Sequence, residues 1–268
     1  MRRLFFDIET SPNIGLFWEA GYKKRITYNN IVKERAIICI SYKWQHEDDV
    51  HCLRWSKGCD KKMVADFVKV AAQADELVAH FGDAFDIKWV KARALIHGID
   101  MSPFHRTFDT CKKARSQFKL NSYALNYLGD ILGVGEKMET NYAMWYHITV
   151  CALLTRKFDD EYTKLLQQMC DYCDEDVRLL QRVYEKMFHV LPHNTHAAVV
   201  SGGYKWQCPS CQSKYMKLDK TSTTAMGTIR RQLQCLNKSC RKYYTVSNKQ
   251  YEEMVMYRIR NGEKAGMK

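Results

Sequence analysis

The stretch Leu4-Phe5-Phe6-Asp7-Ile8-Glu9-Thr10 decides how the rest of the chain is read. Side chains alternate along a strand, so Leu4, Phe6 and Ile8 face one side while Phe5, Asp7 and Glu9 face the other. Two acids therefore share one face of a strand that otherwise looks central. Like charges this close on a poorly hydrated sheet push each other toward protonation unless a cation neutralises them. A divalent metal is the simplest neutraliser; an edge-strand end with solvated acids is the other reading of this strand alone.

Downstream, residues 36–42 and 50–55 read as strands that join the first in an antiparallel meander with short connections. Residues 61–75 carry Met63, Val64, Phe67, Val70 and Ala71 at a helical period, and 76–80 resemble a short buried strand. A second helix is expected over 84–96 with Gly98 as its stop, and a fifth strand over 104–110. Ser122 is the expected N-cap of a helix through Leu132, ended by Gly133. A long helix follows over 160–188. Strands first and alternation with helices afterwards predict an α/β sandwich. Breakers at Leu191-Pro192-His193-Asn194 and Ser201-Gly202-Gly203 place a domain boundary near residue 200, giving domains 1–200 and 201–268.

The long helix repeats the anomaly of the first strand. Its apolar stripe runs Tyr162, Leu165, Leu166, Met169, Tyr172 and Cys173, then Asp176, then Leu179, Leu180, Val183 and Met187. An ionised acid within such a stripe needs a partner, either a metal or a Lys or Arg from elsewhere. Asp86, just after the strand ending at His80, is by itself an ordinary first-turn acid favoured by the helix dipole.

The 268 residues are 46% hydrophobic and 27% charged, which excludes collagen-like, low-complexity and disordered classes. No window approaches the ~18 consecutive apolar residues of a membrane span, and Met1-Arg2-Arg3 leads straight into an acid-bearing strand, unlike a signal peptide. A cytoplasmic protein without a membrane partner is expected. Eleven cysteines, an odd number in such a chain, argue against a disulfide framework and for metal ligation where they cluster. They cluster at Cys208-Pro209-Ser210-Cys211 and at Cys235 and Cys240, two knuckles with the spacing of a four-thiolate zinc ribbon and one structural Zn²⁺. The remaining cysteines, Cys39, Cys52, Cys59, Cys111, Cys151, Cys170 and Cys173, read as small apolar residues.

The formal charge of +12 is concentrated at one end: from Ser201 onward 14 Lys and Arg face 4 Asp and Glu. That basicity reads as a nucleic-acid grip or as a solvated tail. Trp206, Arg230, Arg231, Arg241, Lys242 and Tyr243 mix cations with aromatic faces and are the expected nucleic-acid contacts, with protein docking as the other use of such a ribbon.

Together, Phe6-Asp7-Ile8-Glu9-Thr10, the strand and turn from Leu77 to Phe85-Asp86, and Tyr172-Cys173-Asp174-Glu175-Asp176 resemble the DEDD superfamily of 3′→5′ exonucleases, the DnaQ-like branch of the ribonuclease-H-like fold. The likeness covers about residues 1–190. Tyr172 points to the tyrosine subtype, and residues 104–137 look like the branch related to family B polymerase proofreading domains and small bacteriophage exonucleases. One departure stands out: where the family commonly has His-Asn-Gly, this chain has His80-Phe81-Gly82. The resemblance implies an α/β fold with a mixed sheet flanked by helices, and a site holding two Mg²⁺ or Mn²⁺ ions on Asp7, Glu9, Asp86 and Asp176. Tyr172 would orient the attacking water, and nucleoside 5′-monophosphates would leave from a free 3′ end of single-stranded DNA, or of RNA. A replication or repair protein could dock on the ribbon; a phage-encoded chain would act in the host cytoplasm. A binding protein on a nuclease fold, or a structure-selective endonuclease with the same metal site, are the alternatives.

Overall fold

The structure, a computed structural model, describes residues 1–19, 21, 26–102, 106–188, 190–191 and 195–262. Its chain divides into two compact units, Arg2–Val183 and the part from Tyr184 on. The first contains β1 (Arg3–Thr10), β2 (Ile14–Gly15), β3 (Ile31–Lys33), β4 (Ile37–Trp44), β5 (His51–Arg54), α1 (Lys61–Ala71), β6 (Glu76–Ala79) and α2 (Asp86–Ile96). It continues with β7 (Thr107–Asp109), α3 (Thr110–Gln117), α4 (Leu125–Ile131), α5 (Tyr142–Val150) and most of α6 (Asp160–Phe188).

Five strands form one mixed sheet in the order β5-β4-β1-β6-β7. β1 is central because Leu4, Phe5 and Phe6 are apolar on both faces and fully buried. It runs antiparallel to β4, with Asp7 opposite Ser41 and Glu9 opposite Cys39, and parallel to β6, with Leu4 opposite Leu77. The first three sheet strands form the expected meander, but the connection from β1 to β4 is not short: it carries the two-stranded ribbon of β2 and β3. On one face Leu4, Phe6, Ile8, Ile38 and Ile40 join Met63, Val64 and Phe67 of α1 in the core, where the Phe6 and Phe67 rings lie 5.1 Å apart.

Two buried ion pairs fix the frame. Arg3 Nε donates to Glu76 Oε2 at 2.8 Å between β1 and β6. The fully buried Asp60, just before α1, accepts from Arg93 Nε at 2.7 Å, Arg93 Nη2 at 2.8 Å and Ile37 N–H at 3.0 Å. Burial pushes Asp60 toward protonation, but Arg93, Ile37 and His97 outweigh it and hold the carboxyl below its ordinary range.

Two helices lack a sequence signal. The segment TCKKARSQ of α3 buries only Thr110, Cys111 and Ala114, and YAMWYHITV of α5 is apolar all round, so neither shows a helical stripe. Ser122 is not the helix cap: Ala124 stands there, and Ser122 Oγ accepts from Ala124 N–H at 3.3 Å within the preceding turn. The fifth strand is shorter than expected, Thr107–Asp109, and the predicted residues 104 and 105 lie outside the described residues, as do 192–194 of the breaker segment.

The second unit holds α7 (Ala197–Val200), an antiparallel sheet β10-β9-β8 of β8 (Met216–Thr223), β9 (Ile229–Cys235) and β10 (Tyr243–Ser247), and α8 (Asn248–Arg260). Trp206, Met216, Leu233, Tyr244, Val246 and Met254 make its core. Ser247 and Gln250 cap the start of α8 reciprocally. No helix among the described residues is long and apolar enough to cross a membrane.

Candidate active site

Asp7 and Glu9 leave β1 on the face covered by α6. There Cys173 Sγ lies 3.5 Å from Asp7 O and 3.7 Å from Asp7 Oδ2, and Asp176 arrives one turn later with only 2% of its surface exposed. Carboxylate oxygens of Asp7, Glu9 and Asp176 all lie within 4.8 Å of one another. Asp86 reaches in from the first turn of α2, its Oδ1 accepting from Ile8 N–H at 3.2 Å. That contact needs a tight strand-to-helix turn. Gly82 permits it, because a Cβ there would stand 2.4 Å from Ala79 Cβ.

Asp86 and Asp176 are buried and Asp7 and Glu9 partly so, and the four acids together are short of positive charge. Burial, followed by the negative charges of Asp86, Glu9 and Asp176, drives the Asp7 carboxyl well above its ordinary range. Burial pushes Glu9 up to about 7 against the opposing pull of Lys137, and burial pushes Asp86 to about 7 despite its backbone hydrogen bonds. Burial raises Asp176 as well. Tyr172, buried beside them, is pushed to about 12, so its hydroxyl keeps its proton at neutral pH.

Two contributors had no sequence signal as site residues. Lys137 Nζ pairs with Asp176 Oδ2 at 2.6 Å and stands 4.7 Å from the Tyr172 ring centroid. Its loop can approach because Gly129 of α4 leaves room; a Cβ there would lie 2.4 Å from Gly135 O. Trp145 of α5 donates to Glu9 Oε2 at 3.2 Å and meets Tyr172 edge-on at 5.8 Å. Only the packing of α5 against β1 and α6 reveals it. A cleft of about 500 Å³ opens beside Glu9, lined among others by Arg35, Phe85, Tyr142 and Trp145.

The residues fit divalent cations. Asp176 Oδ1 is buried without a hydrogen-bond partner among the described residues, while its other oxygen holds Lys137, so a metal could take the free oxygen and leave that ion pair intact. An all-carboxylate donor set suits Mg²⁺ or Mn²⁺.

The neighbouring residues have structural tasks. Asp109 accepts from Phe81 N–H at 3.0 Å, Asp83 N–H at 3.2 Å and Lys112 N–H at 3.0 Å, capping α3 and fixing the turn. His80 is fastened to Thr110 Oγ1 and Tyr123 O. Phe81 adopts a left-handed backbone, φ 63°, and remains 46% exposed with Arg115 5.8 Å from its ring centroid.

In the second unit Cys208, Cys211, Cys235 and Cys240 bring their sulfurs within 4.8 Å of one another, with Cys208–Cys240 and Cys211–Cys235 each at 3.6 Å. Tetrahedral zinc with Zn–S of about 2.3 Å needs sulfurs about 3.8 Å apart. Two expected nucleic-acid contacts are overturned. Trp206 is 1% exposed in the core, with the exposed Tyr204 ring stacked against it. Lys242 is fully buried, donating to Phe188 O at the last residue of α6 and to Leu191 O beyond it, so that its ammonium sits at the C-terminal end of the helix. Arg230, Arg241 and Tyr243 are exposed; Arg231 is half-buried on Asn248 and Thr221.

Comparison with known proteins adds an independent line. Residues 25–195 match a family described as a predicted 3′-5′ exonuclease related to the exonuclease domain of PolB. The match begins beyond Asp7 and Glu9, so these two enter the site on geometry. Among solved structures, the family B DNA polymerase from the hyperthermophilic archaeon Pyrobaculum calidifontis has a similar fold, with a TM-score of 0.50 and 16% identity over 70% of this chain. The likeness spans 24% of that polymerase. No curated protein sequence matches.

Proposed function

The chain belongs to the family of predicted 3′-5′ exonucleases related to the exonuclease domain of PolB, and on that premise we propose that it hydrolyses phosphodiester bonds from a free 3′ end, releasing nucleoside 5′-monophosphates. The observation that carries this reading is the convergence of Asp7, Glu9 and Asp176, with Asp86 joined to β1 through Ile8, in a largely buried place short of positive charge.

Two divalent ions of the Mg²⁺ or Mn²⁺ class, when bound, would stabilise the entering and leaving oxygens of an in-line displacement. Asp7, Glu9 and Asp176 would hold one and Asp7 with Asp86 the other. Tyr172 keeps its proton and serves as a hydrogen-bonding group that orients the attacking water rather than as a base. Trp145 restrains Glu9, and Lys137 anchors one oxygen of Asp176 so that the other is presented to the site. The cleft beside Glu9, with Arg35 and three aromatic side chains, offers a cation for phosphate and faces for bases, which supports a single-stranded substrate of either DNA or RNA.

We infer further that the chain functions as two domains, a nuclease domain followed by a basic zinc ribbon with Zn²⁺ on Cys208, Cys211, Cys235 and Cys240. The outer face of the ribbon sheet aligns Arg230 and Gln234 of β9 with Lys217 of β8 and Tyr243 of β10, a surface suited to a nucleic-acid strand. A time course on 5′-labelled single-stranded DNA and RNA with Mn²⁺, beside Asp7→Asn, tests the activity. A descending ladder that needs both metal and Asp7 is expected. Intact substrate with a retained gel shift overturns the nuclease reading, and cutting of circular single strands overturns the requirement for an end.

A further inference from the structure

Three cysteines read from the sequence as incidental apolar residues come together in the nuclease unit. Cys39 of β4, Cys52 of β5 and Cys170 of α6 place their sulfurs within 4.8 Å of one another. Cys39 and Cys170 are buried, while Cys52 is only half-buried, so the cluster has an approach from outside. None of the three is in a disulfide.

We propose that this cluster is a second thiolate metal site, distinct from the ribbon quartet, for a soft cation of the zinc or cadmium class. Three metal–sulfur bonds of about 2.3 Å need sulfurs about 4 Å apart, so the side chains close on an ion by moving a few tenths of an ångström. The backbone supports that closure. Cys39 and Cys52 lie diagonally across one face of the β4–β5 pair, where Cys39 is opposite Arg54 and Ser41 is opposite Cys52. Cys170 descends on them from α6, and Cys39 Sγ lies 3.9 Å from Met169 O on that helix. Thiolates are soft ligands that prefer such cations to the Mg²⁺ or Mn²⁺ suited to the carboxylates. On binding, three S–H protons pass to solvent and three metal–sulfur bonds form, with no electron transfer. Three thiolates on a dication leave one negative charge, and Arg54 stands beside Cys39 in register to balance it.

The placement gives the site a task. Cys39 is paired in register with Glu9, and Cys170 lies on the helix that carries Tyr172 and Asp176. An ion here would pin β4, β5 and α6 together behind the carboxylate cluster, as a brace rather than a reactant. A separate sulfur, Cys173, occupies the space between this helix and Asp7.

The test needs no nuclease activity. Native mass spectrometry of the zinc-loaded full chain is expected to count one ion more in the wild type than in Cys52→Ser, whatever the ribbon holds. Equal counts overturn the proposal. Should Cys52→Ser fail to fold, alkylation of the native wild type by N-ethylmaleimide, mapped by peptide mass, replaces it. Cadmium is expected to slow modification of Cys52 about tenfold or more, and an unchanged rate overturns the site.

Discussion

Asp7 lies at the meeting point of the site, and its environment sets the strongest expectation for any single residue. Asp7→Asn keeps the shape but halves the negative charge that the strand presents, and cleavage should fall on the order of a thousandfold, about 4 kcal/mol of transition-state stabilisation. Single-turnover kinetics at matched fold stability checks this, and a variant retaining most of the wild-type rate excludes the metal-site assignment. The raised carboxyls also predict a pH response. Glu9 and Asp86 titrate near 7 when folded against roughly 4 when unfolded, so below about pH 4 both states carry their protons and the advantage of the folded state is complete. It is lost as the pH rises through 7. The metal-free chain should therefore lose thermal stability between about pH 4 and 7, less steeply as Glu9→Gln, and Mn²⁺ should restore it at the upper end. A flat melting profile across that window would contradict the charge shortage. Phe81 makes a further residue-level case. A left-handed backbone costs an ordinary side chain roughly 1 kcal/mol, and Asn tolerates it better, so Phe81→Asn should stabilise the chain by about 0.5–1 kcal/mol in urea unfolding.

The elements of the site were unequally visible before the fold was known. β1 and α6 declared themselves, because an acid in an apolar face is a local contradiction that period-2 and period-3.6 patterns expose. The α3 and α5 helices did not, since a polar octapeptide and an all-round apolar nonapeptide carry no stripe. With α5 went Trp145, and with the loop after α4 went Lys137. Lys242 and Trp206 show the opposite error: composition marked them as surface contacts, whereas a helix terminus and a small core each needed such a side chain inside. The α1–α2 frame gives an element-level expectation. Replacing Arg93 by Met leaves the buried Asp60 carboxylate with His97 and a backbone N–H only, and should cost about 3 kcal/mol. Urea titration reads this directly, and a loss under 1 kcal/mol would mean that Asp60 is neutral in the folded chain.

At the scale of the whole molecule the charge is segregated, with an excess of +10 from Ser201 onward and most of the carboxylate chemistry before it. If Lys217 and Arg230 contact phosphates, changing both to Gln should weaken single-strand binding and reduce its salt slope by about 0.7 per lost contact. An unchanged slope, measured by fluorescence titration over a series of salt concentrations, would assign the ribbon face to something other than nucleic acid. The sequence by itself determined the order of the main strands, the long helix, Asp7, Glu9 and Asp176 as acids out of place, and the cysteine quartet, each written in local spacing or in an anomaly against a local period. Asp86 and Tyr172 were picked out only by the resemblance to the exonuclease motifs. Only the tertiary structure decided that Lys137 shares Asp176, that Trp145 holds Glu9, that Lys242 is interior, and that Cys39, Cys52 and Cys170 meet. Those facts join residues tens to more than a hundred positions apart, and their physical cause is the packing of α6, α5 and the sheet, which no window along the chain contains.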